Sequence, residues 1–181
     1  MIKSLLARLI LIMGLILASC SNGTTGLQSY TDGAQGYQFL YPSGWVSVNV
    51  KNSSPGVDIV FHDLIEQTEN VSVIISDVSD NKTLADLGTP TEVGYRFLKE
   101  KQVLNPNIDL INAEAHQDNN KKDYYLLEYQ IKGSNTGDRH NLASVVINKD
   151  KLYTFNVSTT ERRWQKAQDL LTTVVNSFRV N

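Results

Sequence analysis

The sequence predicts an α+β fold: a central, mostly antiparallel β-sheet covered by helices on both faces, which makes an α/β/α sandwich. Three observations lead to this prediction. Residues 124–127 and 145–147 are apolar at consecutive positions of predicted strands, a pattern typical of a sheet covered on both faces. The loops between the strands have hairpin length, which favours antiparallel pairing. Two segments, one near the middle of the chain and one at its end, have the apolar spacing of amphipathic helices.

The first 19 residues have the features of a signal peptide. Lys3 and Arg8 form a short positively charged region, and an apolar run at residues 9–17 follows it. This run is too short to span a bilayer. The Leu-Ala-Ser-Cys sequence at 17–20 resembles the lipobox of bacterial lipoproteins, in which the cysteine is lipidated and becomes the first mature residue. Cys20 is the only cysteine, so no intramolecular disulfide competes for its thiol. An ordinary signal peptide with a chance cysteine is the alternative.

The predicted organisation is a signal peptide at 1–19, a lipidated Cys20 with a polar, flexible tether at 20–30, and one folded domain at 31–181. The chain has 17 basic and 19 acidic residues, a net charge of −2, which argues against a nucleic-acid-binding protein. No further run of about 18 apolar residues follows, so we expect the lipid to be the membrane anchor. We expect a monomer, because no exposed apolar stripe requires a second copy.

Four strands are predicted in the first half of the domain. Residues 36–42 place aromatic side chains at alternate positions, and a Ser-Gly turn leads into a second strand at 45–50. A third strand at 57–64 and a fourth at 71–78 follow, joined by a polar connection. This order predicts a run of antiparallel neighbours.

A helix is predicted next. The Thr-Pro-Thr-Glu sequence at 89–92 is a capping box with proline at the first helical position, and Asn-Pro-Asn at 105–107 ends the helix. Two more strands at 109–116 and 122–132 flank a turn rich in Asp, Asn and Lys.

The chain ends in a hairpin and a helix. Strands at 141–147 and 152–158 turn at Lys149–Asp150. The final helix is strongly amphipathic, and one of its faces carries Trp164, Ala167, Leu171, Val174, Val175 and Phe178.

Three side chains could converge beside this hairpin. The turn places His140 opposite Thr159 and Asp138 opposite Glu161, and residues 138 and 140 share a face by alternation. Two carboxylates and an imidazole suit a divalent ion such as Zn²⁺ or Mn²⁺, with water completing the shell. The alternative is structural: Glu161 would complete a capping box with Ser158, and His140 would bond to backbone at a loop edge.

Four basic residues could form a rim at the same end: Arg139, Arg162, Arg163 and Lys166. The functional interpretation of this rim is docking to an acidic protein surface, and the alternative is a solvated face. The sequence contains no GxGxxG, Walker A, GxSxG, HExxH or CxxC motif, so we expect no enzymatic activity and no required cofactor.

Three segments resemble the PsbP family of photosystem II extrinsic proteins. They are GYQFLYPSGWV, DRHNLASVVINKDKLYTFNVST and ERRWQKAQDLLTTVVNSFRV, and the similarity runs over residues 30–181. The most specific parts are the aromatic-x-Tyr-Pro-x-x-Trp sequence at 39–45 and the Arg-Trp…Ser-Phe pattern at the end. With the lipobox, the chain is more similar to the lipoprotein members of this family than to the plant members.

The resemblance implies an antiparallel sheet between helices, a location on the lumenal side of the thylakoid membrane, and association with the photosystem II core or its assembly intermediates. It also implies assistance in assembly or stabilisation of the oxygen-evolving side. Members of the family have been associated with Zn²⁺ or Mn²⁺, and the matching positions here are His140 and Glu161. The alternative function is therefore a module that binds or delivers such a metal.

Two departures from the family pattern limit what the resemblance implies. The plant members use a longer N-terminal arm in calcium and chloride retention, and a short tether replaces that arm here, which argues against calcium as a cofactor. The acidic position is Glu161, one methylene longer than aspartate, so the metal geometry need not transfer.

Overall fold

The computed structural model describes residues 26–50, 55–103, 106–134 and 137–181. The predicted signal peptide and Cys20 lie outside the described residues. Within these ranges, no helix combines the length and the apolar composition needed to cross a bilayer.

A seven-stranded sheet, antiparallel throughout, forms the centre of the domain. Its order is β3-β4-β5-β9-β8-β7-β6, so neighbours along the chain are mostly neighbours in the sheet. The strands are β3 (Trp45–Val48), β4 (Val57–Asp63), β5 (Asn70–Asp77), β6 (Ile108–Gln117), β7 (Asp123–Ser134), β8 (Gly137–Asn148) and β9 (Lys151–Thr160). Seven of the eight predicted strands therefore lie in this sheet, and the last four are longer than expected. The strand predicted at 36–42 forms, but in a separate sheet, so the expectation that it pairs with the strand predicted at 45–50 is wrong.

A second, three-stranded sheet was not predicted. It consists of β1 (Leu27–Asp32), β2 (Tyr37–Pro42) and β10 (Arg179–Val180), in the order β1-β2-β10. β1 overlaps the segment predicted as a flexible tether at 20–30, so the tether prediction is wrong from Leu27 onward. The physical reason is that Leu27 and Tyr30 pack against the core, while the polar residues between them face outward.

Two α-helices are described, α1 (Pro90–Gln102) and α2 (Glu161–Asn176). α1 begins with the predicted capping box, in which Thr89 and Glu92 exchange hydrogen bonds. α2 is capped by Thr160, whose hydroxyl oxygen accepts from the backbone N–H of Arg163 at 3.3 Å. The capping box predicted for Ser158 is therefore wrong.

The large sheet separates two apolar cores. Val146 belongs to the core under α2 and the small sheet, and the next residue towards the N-terminus, Val145, belongs to the core under α1. Because adjacent strand residues point to opposite faces, the two helices lie on opposite sides of the sheet. This arrangement confirms the α/β/α sandwich.

The final hairpin has the predicted register. Lys149 and Asp150 both have positive φ, 49° and 59°, as a two-residue type I′ turn requires. This turn places His140 opposite Thr159.

Candidate functional site

A polar row crosses four adjacent strands where α2 begins. Gln130, His140 and Thr159 are successive cross-strand partners, and Glu69, just before β5, accepts a hydrogen bond from the Thr159 hydroxyl at 3.0 Å. These residues lie on the sheet face that α2 covers, so the first turn of α2 packs above them. The site is therefore built on strands and a helix, apart from Glu69, which lies in the connection before β5.

His140 is the centre of this row and is 3% exposed. Its Nε2 lies 2.9 Å from Oε1 of Glu128, and its Nδ1 lies 3.1 Å from Oε2 of Glu161. The imidazole stacks on the indole of Trp164 with 4.0 Å between ring centroids and 9° between planes. Gln130 donates a further hydrogen bond to Glu161 at 2.9 Å. His140 thus joins β7, β8 and α2 at one point.

The structure brings together His140 and Glu161, as predicted, but not Asp138. The Asp138 side chain is exposed and accepts a hydrogen bond from the backbone N–H of Gly133 at 2.8 Å. The second carboxylate at His140 comes instead from Glu128, which was not predicted from the sequence. Its signal was the alternation along β7, since Glu128 and Gln130 share a face.

These side chains do not present a ready metal-ligand set. No group of three His, Cys, Asp or Glu residues suited to a metal ion occurs among the described residues. Glu128 and Glu161 lie at opposite nitrogens of the His140 ring, so they do not face a common point. A metal binds an imidazole nitrogen through its free lone pair, and each nitrogen of His140 already contacts a carboxylate.

Glu69 and Arg163 form the other half of the polar row. Nε of Arg163 lies 3.1 Å from Oε2 of Glu69, whose side chain is 3% exposed. Burial raises the pKa of Glu69, and the Thr159 hydroxyl and Arg163 oppose this effect. The pair ties the first turn of α2 to the start of β5.

Arg139 does not belong to the predicted basic rim. It precedes His140 on β8, so it points to the opposite face of the sheet, where it is buried. Its guanidinium donates to the Ser158 hydroxyl at 2.8 Å and to the carbonyl of Thr68. Burial lowers the pKa of Arg139. These contacts make Arg139 a structural residue.

The remaining rim residues surround an open cleft. Arg162, Arg163 and Lys166 are exposed on the first two turns of α2. Together with Glu66 and Glu69 they line a polar depression of about 310 Å³. Arg163 pairs with Glu69, whereas the exposed charges of Arg162 and Lys166 contribute little to stability.

A smaller groove lies on the other side of α2. It has a volume of about 130 Å³, and its lining includes Leu126, Leu142 and Trp164 beside the carboxylates of Glu114 and Glu128. α2 therefore separates a predominantly basic surface from an acidic, partly apolar one. Such an arrangement can recognise charged protein surfaces, with His140 fixing the helix between the two.

Comparison with known proteins places the chain in one family. Residues 25–180 match the PsbP family. The chain is 49% identical to CyanoP of Synechocystis sp. over 174 residues, which covers 94% of this chain and 92% of that protein. It is 42% identical to CyanoP of Thermosynechococcus vestitus over 188 residues, covering 99% and 100% of the two chains.

A solved structure gives the same result. The fold is similar to the solution structure of cyanobacterial PsbP (CyanoP) from Synechocystis sp., with a TM-score of 0.75 at 50% identity. The match covers 91% of this chain and 99% of that structure.

Proposed function

This chain belongs to the PsbP family of photosystem II-associated proteins, and from this membership we propose a specific role. It is a non-catalytic, lipid-anchored protein on the lumenal side of the thylakoid membrane, where it binds photosystem II and assists its assembly or stabilises its oxygen-evolving side. The observation that carries the proposal is the 49% identity to CyanoP over 94% of the chain.

The docking surface in this proposal is the basic cleft at the start of α2. Arg162 and Lys166 are exposed there, and in the described structure no ion pair involves either side chain. A lipid on Cys20 would hold the domain close to the membrane. Tethering raises the local concentration of the domain near membrane partners, so a few charge contacts suffice for binding.

The test is a pull-down of the tagged, lipidated protein from solubilised thylakoid membranes, with mass spectrometry of the captured proteins. We expect immature photosystem II that is poor in its other extrinsic subunits. Recovery with mature complexes at about one-to-one would indicate a permanent subunit instead. Recovery of photosystem II polypeptides only at background level would refute the proposal.

A charge-reversal pair tests the docking surface in the same experiment. The variant Arg162→Glu with Lys166→Glu should lose most of the captured photosystem II and keep the wild-type circular dichroism spectrum. The control is a single charge reversal, Lys99→Glu, at an exposed lysine on α1 across the sheet; this variant should capture as much as wild type, as should Lys166→Gln if only charge reversal disrupts docking. If the charge-reversal pair captures as much photosystem II as the Lys99→Glu control, the docking surface is not this cleft.

The alternative function, binding or delivery of Zn²⁺ or Mn²⁺, has weaker support. His140 has carboxylates at both nitrogens, and a metal would have to displace one of them. Calorimetric titration of the protein with each ion tests this function, with His140→Asn as the variant. Stoichiometric binding that disappears in the variant would favour a metal module.

A further inference from the structure

Exposed apolar side chains concentrate at one end of the domain. Among the described residues, the four most exposed large apolar side chains are Ile65 (95%), Val103 (84%), Tyr95 (61%) and Leu64 (60%). Three of the four lie at the end where β4 finishes and β6 begins. Leu64 and Ile65 directly follow β4, and Val103 follows α1. The opposite end of the domain has none of these side chains.

Hydrogen bonds hold the Leu64–Ile65 tip in a defined conformation. The Asp63 carboxylate accepts hydrogen bonds from the backbone N–H groups of Ile65 at 2.8 Å and Glu66 at 2.9 Å. The hydrogen bond from Glu66 is the main cause of the lowered pKa of Asp63. The loop closes through a bond from the Asp63 amide to the Glu69 carbonyl at 3.0 Å. The tip therefore projects both apolar side chains in a defined turn.

The chain enters the domain at this same end. Gly26 is the first described residue, and its carbonyl accepts a hydrogen bond from the backbone N–H of Ser43 at 2.8 Å. The turn at Ser43 leads directly into Trp45, whose cross-strand partner is Asp63 at the base of the tip. Residues 20–25 span at most about 20 Å when fully extended. A lipid on Cys20 would therefore hold this end of the domain close to the bilayer.

We propose that this end of the domain contacts the lipid bilayer and that the Leu64–Ile65 tip inserts into the membrane interface. The inference rests on the lipid anchor of the proposed function. β4 and β6 are five strand spacings apart in the sheet, about 24 Å. The tip and Val103 thus give two apolar contacts well separated from each other. With the anchor, they fix the domain with its strands upright on the membrane and its basic cleft at the membrane surface.

Site-directed labelling of the full-length, lipidated protein tests this orientation. Single cysteines, Ile65→Cys, Val103→Cys and Asn119→Cys, carry a nitroxide label on phosphatidylcholine vesicles. The natural cysteine is blocked by its lipid, so labelling is specific. Oxygen concentrates in lipid, whereas a nickel complex stays in water, so the reagent that speeds the spin relaxation of a label more shows where the label lies. We expect oxygen to have the larger effect on the labels at 65 and 103. The label at 119, in the turn between β6 and β7 at the opposite end, should show the reverse preference.

A desorption measurement gives a second result. The double variant Leu64→Ser with Ile65→Ser should dissociate from the vesicles at least about tenfold faster than wild type. The reason is that two apolar side chains no longer transfer from water into the membrane interface. Tyr95→Ser, at a residue of α1 that is as exposed as Leu64, should not change the rate. Equal rates for all three proteins would overturn the proposal.

The outcomes separate this inference from the anchor. Flotation of the protein with vesicles tests the anchor separately. If the protein floats but the label at 65 stays exposed to water, the tip contact is refuted and the anchor is intact. Loss of flotation refutes the anchor, and the tip contact with it. Burial of the label at 65 only in membranes that contain photosystem II would assign the tip to a protein partner, which also overturns the proposal.

Discussion

Replacement of His140 by phenylalanine tests whether the polar contacts at this residue stabilise the fold. Phenylalanine keeps a ring that can stack on Trp164 but lacks both nitrogens that contact Glu128 and Glu161. Hydrogen bonds to charged groups contribute about 1.5–3 kcal/mol each. The two carboxylate side chains are 27% and 32% exposed, so water replaces part of each bond. We therefore expect a loss of about 2 kcal/mol in the free energy of unfolding.

The measurements are urea unfolding and thermal unfolding of purified protein, each followed by circular dichroism and by tryptophan fluorescence. For a domain of this size, a loss of about 2 kcal/mol lowers Tm by roughly 4–8 °C. His140→Ala should cost more, about 4 kcal/mol, because a buried stacked ring is also removed. The double variant with Glu161→Gln measures how much of the loss belongs to that one contact.

A His140→Phe protein within 0.5 kcal/mol of wild type (about the noise level of single-variant comparisons) would refute this reasoning. The carboxylate contacts would then add nothing net, and His140 would act through packing alone. A large loss in alanine with none in phenylalanine would lead to the same conclusion.

Three further predictions concern other residues. Burial lowers the pKa of His116 from its usual 6.5, so the unfolded state binds more protons than the folded state. The free energy of unfolding should therefore fall as pH drops below 6.5. The variant His116→Phe should show a flatter pH dependence in unfolding curves. Burial raises the pKa of Glu69 from its usual 4.5, so stability should fall as pH rises past that value, and Glu69→Gln should remove this slope in the same assay. Arg139→Met should lower the free energy of unfolding by about 3 kcal/mol without selectively reducing capture of photosystem II, because three hydrogen bonds from the guanidinium to neutral oxygens are lost, while the cost of burying its charge is removed; selective loss of capture would contradict its structural role.

The sequence was sufficient to predict which residue of β9 lies opposite His140. The Lys149–Asp150 turn has two residues, and a two-residue turn fixes the register of its strands, so the pairing of His140 with Thr159 followed directly. The capping box of α1 was equally local, because Thr89 and Glu92 are three residues apart.

The other side of the site depended on longer-range pairing. β7 and β8 have a register shift between Ile131 and Ser134, so no simple count from the turn that joins these strands gives the partner of Glu128. The direction of Arg139 was available from alternation, since a residue next to buried His140 must face the other way. The pairing of β10 with β2 could not be predicted, because it joins residues about 140 positions apart in the chain, whereas β1 and β2 form a local hairpin.

The position of β10 has a consequence for the order of folding. Val180 pairs with Tyr37, and the backbone N–H of the final residue, Asn181, donates to Gly36. The larger core, which includes Phe178 and Val180, therefore cannot close until residues 178–181 have reached β2. This closure joins residues about 140 positions apart in the sequence, so the entropy of loop closure opposes it more strongly than it opposes the local hairpins β4–β5 and β8–β9.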